Sequence, residues 1–183
     1  MAGILKVDQY QDFNGNNIMT SDGAGNLTLN NAALKNTPAF LAKMSTNPSF
    51  SDGVTTKLSL DTEVYDTNSA YDATTNYRFT VPSGLAGKYN VYGATQAYAS
   101  SNSNLVRLTL YIYINGSSVE PYVSETDYQT SYIRDGFENI NVVLDLSEGD
   151  YIELYANGNT NGGQAASMRS EYTYFGGYKL IGA

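Results

Sequence analysis

The chain contains no cysteine and no histidine. Without thiols there are no disulfides and no thiolate metal sites. Without imidazole there is no Ser-His-Asp or Cys-His triad, no histidine zinc site and no side chain whose ordinary pKa lies near neutrality. Cations are scarce too: 10 Lys and Arg stand against 18 Asp and Glu, for a net charge of -8. That balance argues against a phosphate-binding surface, so no nucleic-acid partner is expected, and equally against a polybasic membrane contact. No stretch approaches the ~20 apolar residues of a membrane-spanning helix, so no membrane insertion is expected. Residues 1–13 hold one Lys, two Asp and no apolar run of signal-peptide length. Synthesis in a cytoplasm is therefore expected, with any external role reached by lysis, a specialised secretion route or incorporation into a particle. Tryptophan is absent while tyrosine reaches 17, and Asn, Ser, Thr and Gly fill much of the remainder. This is the composition of a polar, turn-rich β protein.

The first 36 residues differ from the rest. Short apolar pieces (Ile4-Leu5, Ile18-Met19, Leu27 and Leu29) sit between the turn signals Asn14-Gly15, Asp22-Gly23 and Gly25-Asn26. Runs this short cannot build a core alone, so the segment is either flexible or folded against something else. The one helical candidate is a single turn, Asn31 to Lys35, ended by Pro38. From residue 37 the pattern is β throughout. Val106, Leu108, Leu110, Ile112 and Ile114 alternate with polar and tyrosine positions and run into the turn Asn115-Gly116. Ile140, Val142, Leu144 and Leu146 repeat the alternation, and the turn at Glu148-Gly149-Asp150 suggests a hairpin with 151–155. Further strands are predicted at 39–44, 57–62, 77–81, 88–98 and 172–181, and a mobile Gly- and Asn-rich loop at 158–163. The sum is an all-β, antiparallel jelly-roll sandwich with a short extended N-terminal anchoring arm, divided as residues 1–36 and 37–183.

Six segments, in order, resemble the globular head of complement component one-q, within the tumour-necrosis-factor-like trimeric jelly rolls. They are Pro38-Ala39-Phe40, Tyr71-Asp72 with 77–82, Gly87-Lys88-Tyr89 with Val91-Tyr92, 108–116 ending in Asn-Gly, 146–154 around Gly149-Asp150, and the closing Tyr174-Phe175-Gly176-Gly177-Tyr178-Lys179-Leu180. The resemblance implies a homotrimer, with the closing strand in the inner sheet near the threefold axis. Residues 5–8 and 15–28 resemble the starts of phage virion proteins, particularly fibre and decoration proteins. Together the two resemblances imply an exposed trimeric head on a particle surface. Its N-terminal arm would dock other virion proteins through Ile4, Leu5, Val7, Ile18, Met19, Leu27 and Leu29.

Catalysis has little to work with. Asp61 with Glu63, and Asp150 with Glu153, are the carboxylate pairs available to a glycosidase mechanism, and isolated acids on strand faces ordinarily serve solubility. No enzyme and no cofactor are expected. The segment from Asp12 starts like an EF-hand loop but carries Asn17 and Gly23 where Gly and Glu are needed. Asp66, Asp72 and Asp127 are loop acids that could face a calcium ion or simply solvent. Tyrosine is the clearest functional signal, through 111, 113, 151, 155, 172, 174 and 178 in predicted strands. A tyrosine joins apolar area to a polar tip and suits a partly wet interface, a glycan platform or plain cross-strand packing. The trimer interface is accordingly assigned to Tyr111, Tyr113, Tyr155, Tyr174, Phe175 and Tyr178. A decoration or head-fibre protein is favoured, with a tail-fibre-tip or surface adhesin for host glycans as the alternative.

Overall fold

The computed structural model describes residues 7–30, 36–99, 104–128 and 132–181. The expected helical turn at 31–35 and the anchoring residues Ile4 and Leu5 lie outside them. Two sheets form the head. The first orders β7 (Thr62–Asp66), β4 (Ala39–Lys43), β16 (Tyr174–Lys179), β10 (Gly87–Ala99) and β13 (Asp135–Leu146) side by side, and β15 (Ala166–Met168) and β5 (Ser49–Phe50) extend it along the end of β10. The second orders β12 (Ser117–Asp127), β11 (Leu105–Ile114), β14 (Tyr151–Thr160), β9 (Arg78–Thr80) and β8 (Tyr71–Asp72), with β6 (Thr56–Lys57) against β14. Every described pairing is antiparallel, and the arrangement is the expected jelly-roll sandwich. Among the described residues no helix is long and apolar enough to cross a membrane.

Alternation explains the core. On β11, Leu108, Leu110 and Ile112 are wholly buried and meet Ile152 and Leu154 of β14. Facing them across the sandwich, β10 contributes Tyr89 and Val91 and β13 contributes Leu144 and Leu146. An aromatic knot closes one end: Phe40 stacks on Phe79 at 4.7 Å and on Tyr71 at 5.2 Å, and meets Phe175 edge-on at 5.2 Å. Each such fully buried ring contributes about 2–3 kcal/mol of transfer free energy. Burial pushes the Tyr89 phenol up to about 12, and its hydroxyl donates to the carbonyl of Leu85.

Three expectations need correction. The turn at 147–150 does not make a hairpin: β13 pairs with β10 and β14 with β11, so the chain there crosses from one sheet to the other. The predicted strand 57–62 is a second crossing. β6 ends at Lys57 in one sheet and β7 begins at Thr62 in the other, with Leu58 and Leu60 buried between them. The first half of the Gly- and Asn-rich loop expected at 158–163 is strand, since β14 continues to Thr160, and only 161–163 turn. A Cβ at Gly158 would stand 2.4 Å from the Phe50 ring, so glycine there admits an aromatic neighbour.

The N-terminal segment forms its own three-stranded meander, β1 (Gln9–Gln11), β2 (Asn17–Ser21) and β3 (Leu27–Leu29), and among the described residues no strand of it pairs with either sheet of the head.

Candidate functional site

The site is the outer face of the seven-stranded sheet. On β10 the residues pointing into the sandwich are Tyr89, Val91 and Gly93; the alternate positions Asn90, Tyr92 and Ala94 point away from it. Register then builds the face strand by strand. Asn90, Tyr92 and Ala94 oppose Tyr178, Gly176 and Tyr174 of β16 on one side, and Val143, Asn141 and Asn139 of β13 on the other. Gly176 in turn opposes Leu41 of β4, and Leu41 opposes Tyr65 of β7. Tyr65, Tyr174, Phe137 and Val143 are each 39–53% exposed on this face.

Gly176 and Gly177 allow two layers to approach the same backbone. A Cβ at Gly176 would meet the Tyr92 ring at 2.7 Å on the outer side. One at Gly177 would stand 3.2 Å from Phe40 on the inner side. The Tyr92 and Tyr174 rings meet edge to face at 6.3 Å. Burial, and then the bond between the Tyr92 and Tyr65 hydroxyls, raises the Tyr92 phenol above its ordinary value. Beside these tyrosines a groove of about 670 Å³ is walled by Leu41, Val64, Tyr92 and Tyr174, with Lys43 and Glu171 also on its walls. The face thus mixes aromatic, aliphatic and amide side chains with few charges, a make-up that suits a partly wet interface.

The six residues assigned to an interface are not brought together. Tyr174 and Tyr178 lie on this face. Phe175 is the correction: it is wholly buried in the core, because it alternates with Tyr174 and Gly176 and so points into the sandwich. Tyr111, Tyr113 and Tyr155 lie on the other sheet, on its solvent side, since Leu110, Ile112 and Leu154 take the inward positions. There Tyr113 stacks on Tyr155 at 3.9 Å, Tyr111 meets Tyr113 edge-on, and Arg78 lies over Tyr151. Tyr65, Leu41, Tyr92, Phe137 and Val143 were not assigned. The alternation of Phe137, Asn139, Asn141 and Val143 carried a signal, but alternation alone does not say to which sheet a strand belongs.

Five of the carboxylates weighed for chemistry, Asp61, Asp66, Asp72, Asp150 and Glu153, are bonded to neighbours in the fold. Asp61 accepts from the backbone N–H and hydroxyl of Ser45, which holds its pKa below the ordinary value. It precedes β7, whereas Glu63 lies within that strand. Asp150 accepts from the Asn115 amide and the Ser147 N–H. Glu153, 3% exposed, accepts from the Lys57 ammonium. Asp66 accepts from the N–H groups of Asn68 and Tyr71, and Asp72 from those of Thr74, Thr75 and Asn76. Among the described residues no cluster of three acids is placed to hold a metal ion.

Comparison with known proteins gives the class. No protein-family model matches the chain, and no curated protein matches it. Among solved structures it is similar to the globular domain of zebrafish complement 1qA protein, at 16% identity and a TM-score of 0.55, over 78% of this chain and 97% of that one. It is also similar to Eiger TNF from S. frugiperda, at 16% identity and a TM-score of 0.50, over 79% and 93%. At that identity the likeness shows the fold: a jelly roll of the complement one-q and tumour-necrosis-factor kind.

Proposed function

We propose that the chain is a non-enzymatic structural protein of a phage particle. Residues 37–183 are its exposed homotrimeric head, and residues 1–36 are the arm that joins it to other virion proteins. The observation that carries the assembly is the aromatic face of the seven-stranded sheet, where Tyr65, Tyr92, Tyr174, Phe137 and Val143 stand on the outside of the sandwich. Aromatic and aliphatic side chains exposed together on one sheet face support an interface there. The fold likeness supports three copies, because the resembled jelly rolls place this closing-strand sheet at a threefold axis. A closed threefold ring also leaves no half-used surface to seed open polymers. The phage assignment is supported by the resemblance of residues 5–28 to the starts of virion proteins, and by the net charge of -8, which suits exposure to the medium and repels packaged DNA. A decoration or head-fibre place on the capsid fits better than a tail shaft, since 36 residues reach only ~120 Å even when fully extended. The committed carboxylates, with histidine and cysteine both absent, support a role without catalysis.

Light scattering on the full chain at micromolar concentration tests the assembly: three chains are expected, and a stable monomer overturns it. Deleting residues 1–36 tests the arm. A folded head that no longer decorates particles is expected, and full occupancy by the truncated chain overturns the anchor.

A second reading has an observation of its own. The cluster Tyr111, Tyr113 and Tyr155 lies on the side of the sandwich opposite the trimer face and stays open in such a trimer. It would suit an adhesin that binds host glycans. Tyr113 and Tyr155 turn a ring face to each other, however, so a sugar would meet mostly edges. Specific glycan-array binding that is lost in Tyr113→Ala supports this reading.

A further inference from the structure

The N-terminal meander separates its side chains by chemistry. Its register puts Tyr10, Met19 and Leu29 in one cross-strand row, and Asp8, Ser21 and Leu27 in the next row of the same face. The other face carries Gln9, Thr20 and Thr28, with Gln11 and Asn17 joined amide to amide at 2.7 Å. The two hairpin loops repeat one unit. Asp12, Gly15 and Asn16 recur ten residues later as Asp22, Gly25 and Asn26. In each, one carboxylate oxygen accepts the N–H groups two and four residues on, and the other accepts the Asn side-chain amide. Three strands of three to five residues, with no disulfide and one apolar face, are too little to be stable uncovered. Tyr10 is 50% and Leu27 58% exposed.

We infer that this face is covered by the same face of the other two copies, so that three meanders pack apolar side inward around the threefold axis as a short shaft joined to the head. The inference rests on the trimeric reading above and reassigns Met19, Leu27 and Leu29 from docking to self-packing. Charge does not choose the occupant: residues 7–30 contain no Lys or Arg, Asp12 and Asp22 are tied up in the loops at the sheet ends, and Asp8 is left as the one acid per copy on the packed face. Tethering favours copies. Only six residues, 31–36, separate the described end of the meander from Thr37, a reach of ~20 Å. Pro38 then leads into β4, a strand of the sheet that carries the trimer face. Once three heads assemble, each meander meets the other two at an effective concentration on the order of millimolar, well above that of a free partner. Repeated units that cannot bury their own face stack on their own kind. Phe13 at a loop tip and Ile18 at the β1–β2 bulge stay outside this packing, free to contact the particle.

Because the chain has no cysteine, one introduced thiol reports the geometry. Met19→Cys places it on the apolar face, and Thr20→Cys places it next door on the polar face at comparable exposure. Each full-length variant is oxidised at micromolar concentration, run on a denaturing gel, and sized in parallel by light scattering. Trimers are expected for both. Met19→Cys should give covalent dimers in up to about two thirds of chains, since a trimer leaves one thiol over, and Thr20→Cys should give little. Adding Leu29→Asp to Met19→Cys should remove the cross-link while the trimer persists. A trimer that cross-links at neither position, equally at both, or despite Leu29→Asp overturns the shaft and leaves the trimeric head standing. A monomer in both variants overturns the trimer, and the shaft with it.

Discussion

Tyr92 lies against the backbone of Gly176: a Cβ added at 176 would stand 2.7 Å from both its Cζ and its hydroxyl oxygen. Gly176→Ala therefore moves the ring. Tyr92 sits on the outer face of its sheet, so it can swing toward solvent without opening the core. The cost to folding should be at the low end of overpacking, about 1 kcal/mol. The cost to assembly should be larger, because in the proposed trimer the displaced ring would meet the partner. A denaturant melt close to the parent's, together with dissociation to monomer on dilution, is the expected pair of results. An unchanged trimer would remove Tyr92 from the interface.

Phe175 sits one residue away and does the opposite job. It is wholly buried and packs edge-on against Phe40. Phe175→Ala should cost ~3–5 kcal/mol, a large share of the stability of a domain this size. Ending the chain at Ser170 removes β16, which pairs with both β10 and β4, and should abolish folding of the head. Urea melts followed by tyrosine fluorescence read both. Parent-like curves would mean that β16 is peripheral.

The contrast between these neighbours shows what was legible in the sequence. Alternation identified β11 and the second half of β13, the strand expected over 172–181 is β16 from Tyr174 after a 3-10 turn that holds Tyr172, and Asn115-Gly116 correctly marks the β11–β12 turn, with both residues at positive φ. Alternation also says that Tyr174 and Phe175 point opposite ways, but aromatic content alone had placed both at an interface. The sheet to which a strand belongs was not legible. Glu148-Gly149-Asp150 has the composition of a hairpin turn, yet it joins two sheets, because pairing is decided by long-range partners such as Tyr89 with Leu144 and Ile112 with Leu154. For the same reason Tyr111 and Tyr178 looked equivalent in sequence and lie on opposite sides of the sandwich. β12 was missed because Ser, Glu, Pro and Thr dominate it. Its pairing with β11 on one side sustains it as an edge strand.

Lys57 and Glu153 form a pair of unequal burial. The Glu153 side chain is 4% exposed and the Lys57 side chain 30%. The ammonium also donates to the Asn76 carbonyl, tying β6 to the loop before β9. Lys57→Met strands a buried carboxylate. Its cost should fall toward the lower end of the ~3–5 kcal/mol seen when a buried pair is broken, because Lys57 is partly solvated. Glu153→Gln keeps a neutral acceptor for the ammonium and should cost less. Equal losses in paired chemical melts would mean that packing, not the charge, sets the effect.

Asp72 closes its loop by the same device as Asp12 and Asp22. Its carboxylate accepts the N–H groups of Thr75 and Thr74 first and the Asn76 side chain next, and these bonds hold its pKa well below the ordinary aspartate range. The sign follows from linkage. A carboxyl that is harder to protonate folded than unfolded contributes stability above the unfolded value of about 3.9, and that contribution is lost as pH falls through the folded one. Asp72→Asn replaces one accepting oxygen by a donor and removes the contribution at every pH. The stability gap between parent and variant should therefore be constant from pH 5 to 8 and shrink progressively below about pH 4. Urea melts of both proteins across that range make the measurement. Asp72 lies at the surface, so the gap should also be little changed by burial elsewhere in the head and should survive in a chain lacking residues 1–36. A gap that stays constant down to pH 2 would mean that the variant acts through loop shape, not through the charge of the carboxylate.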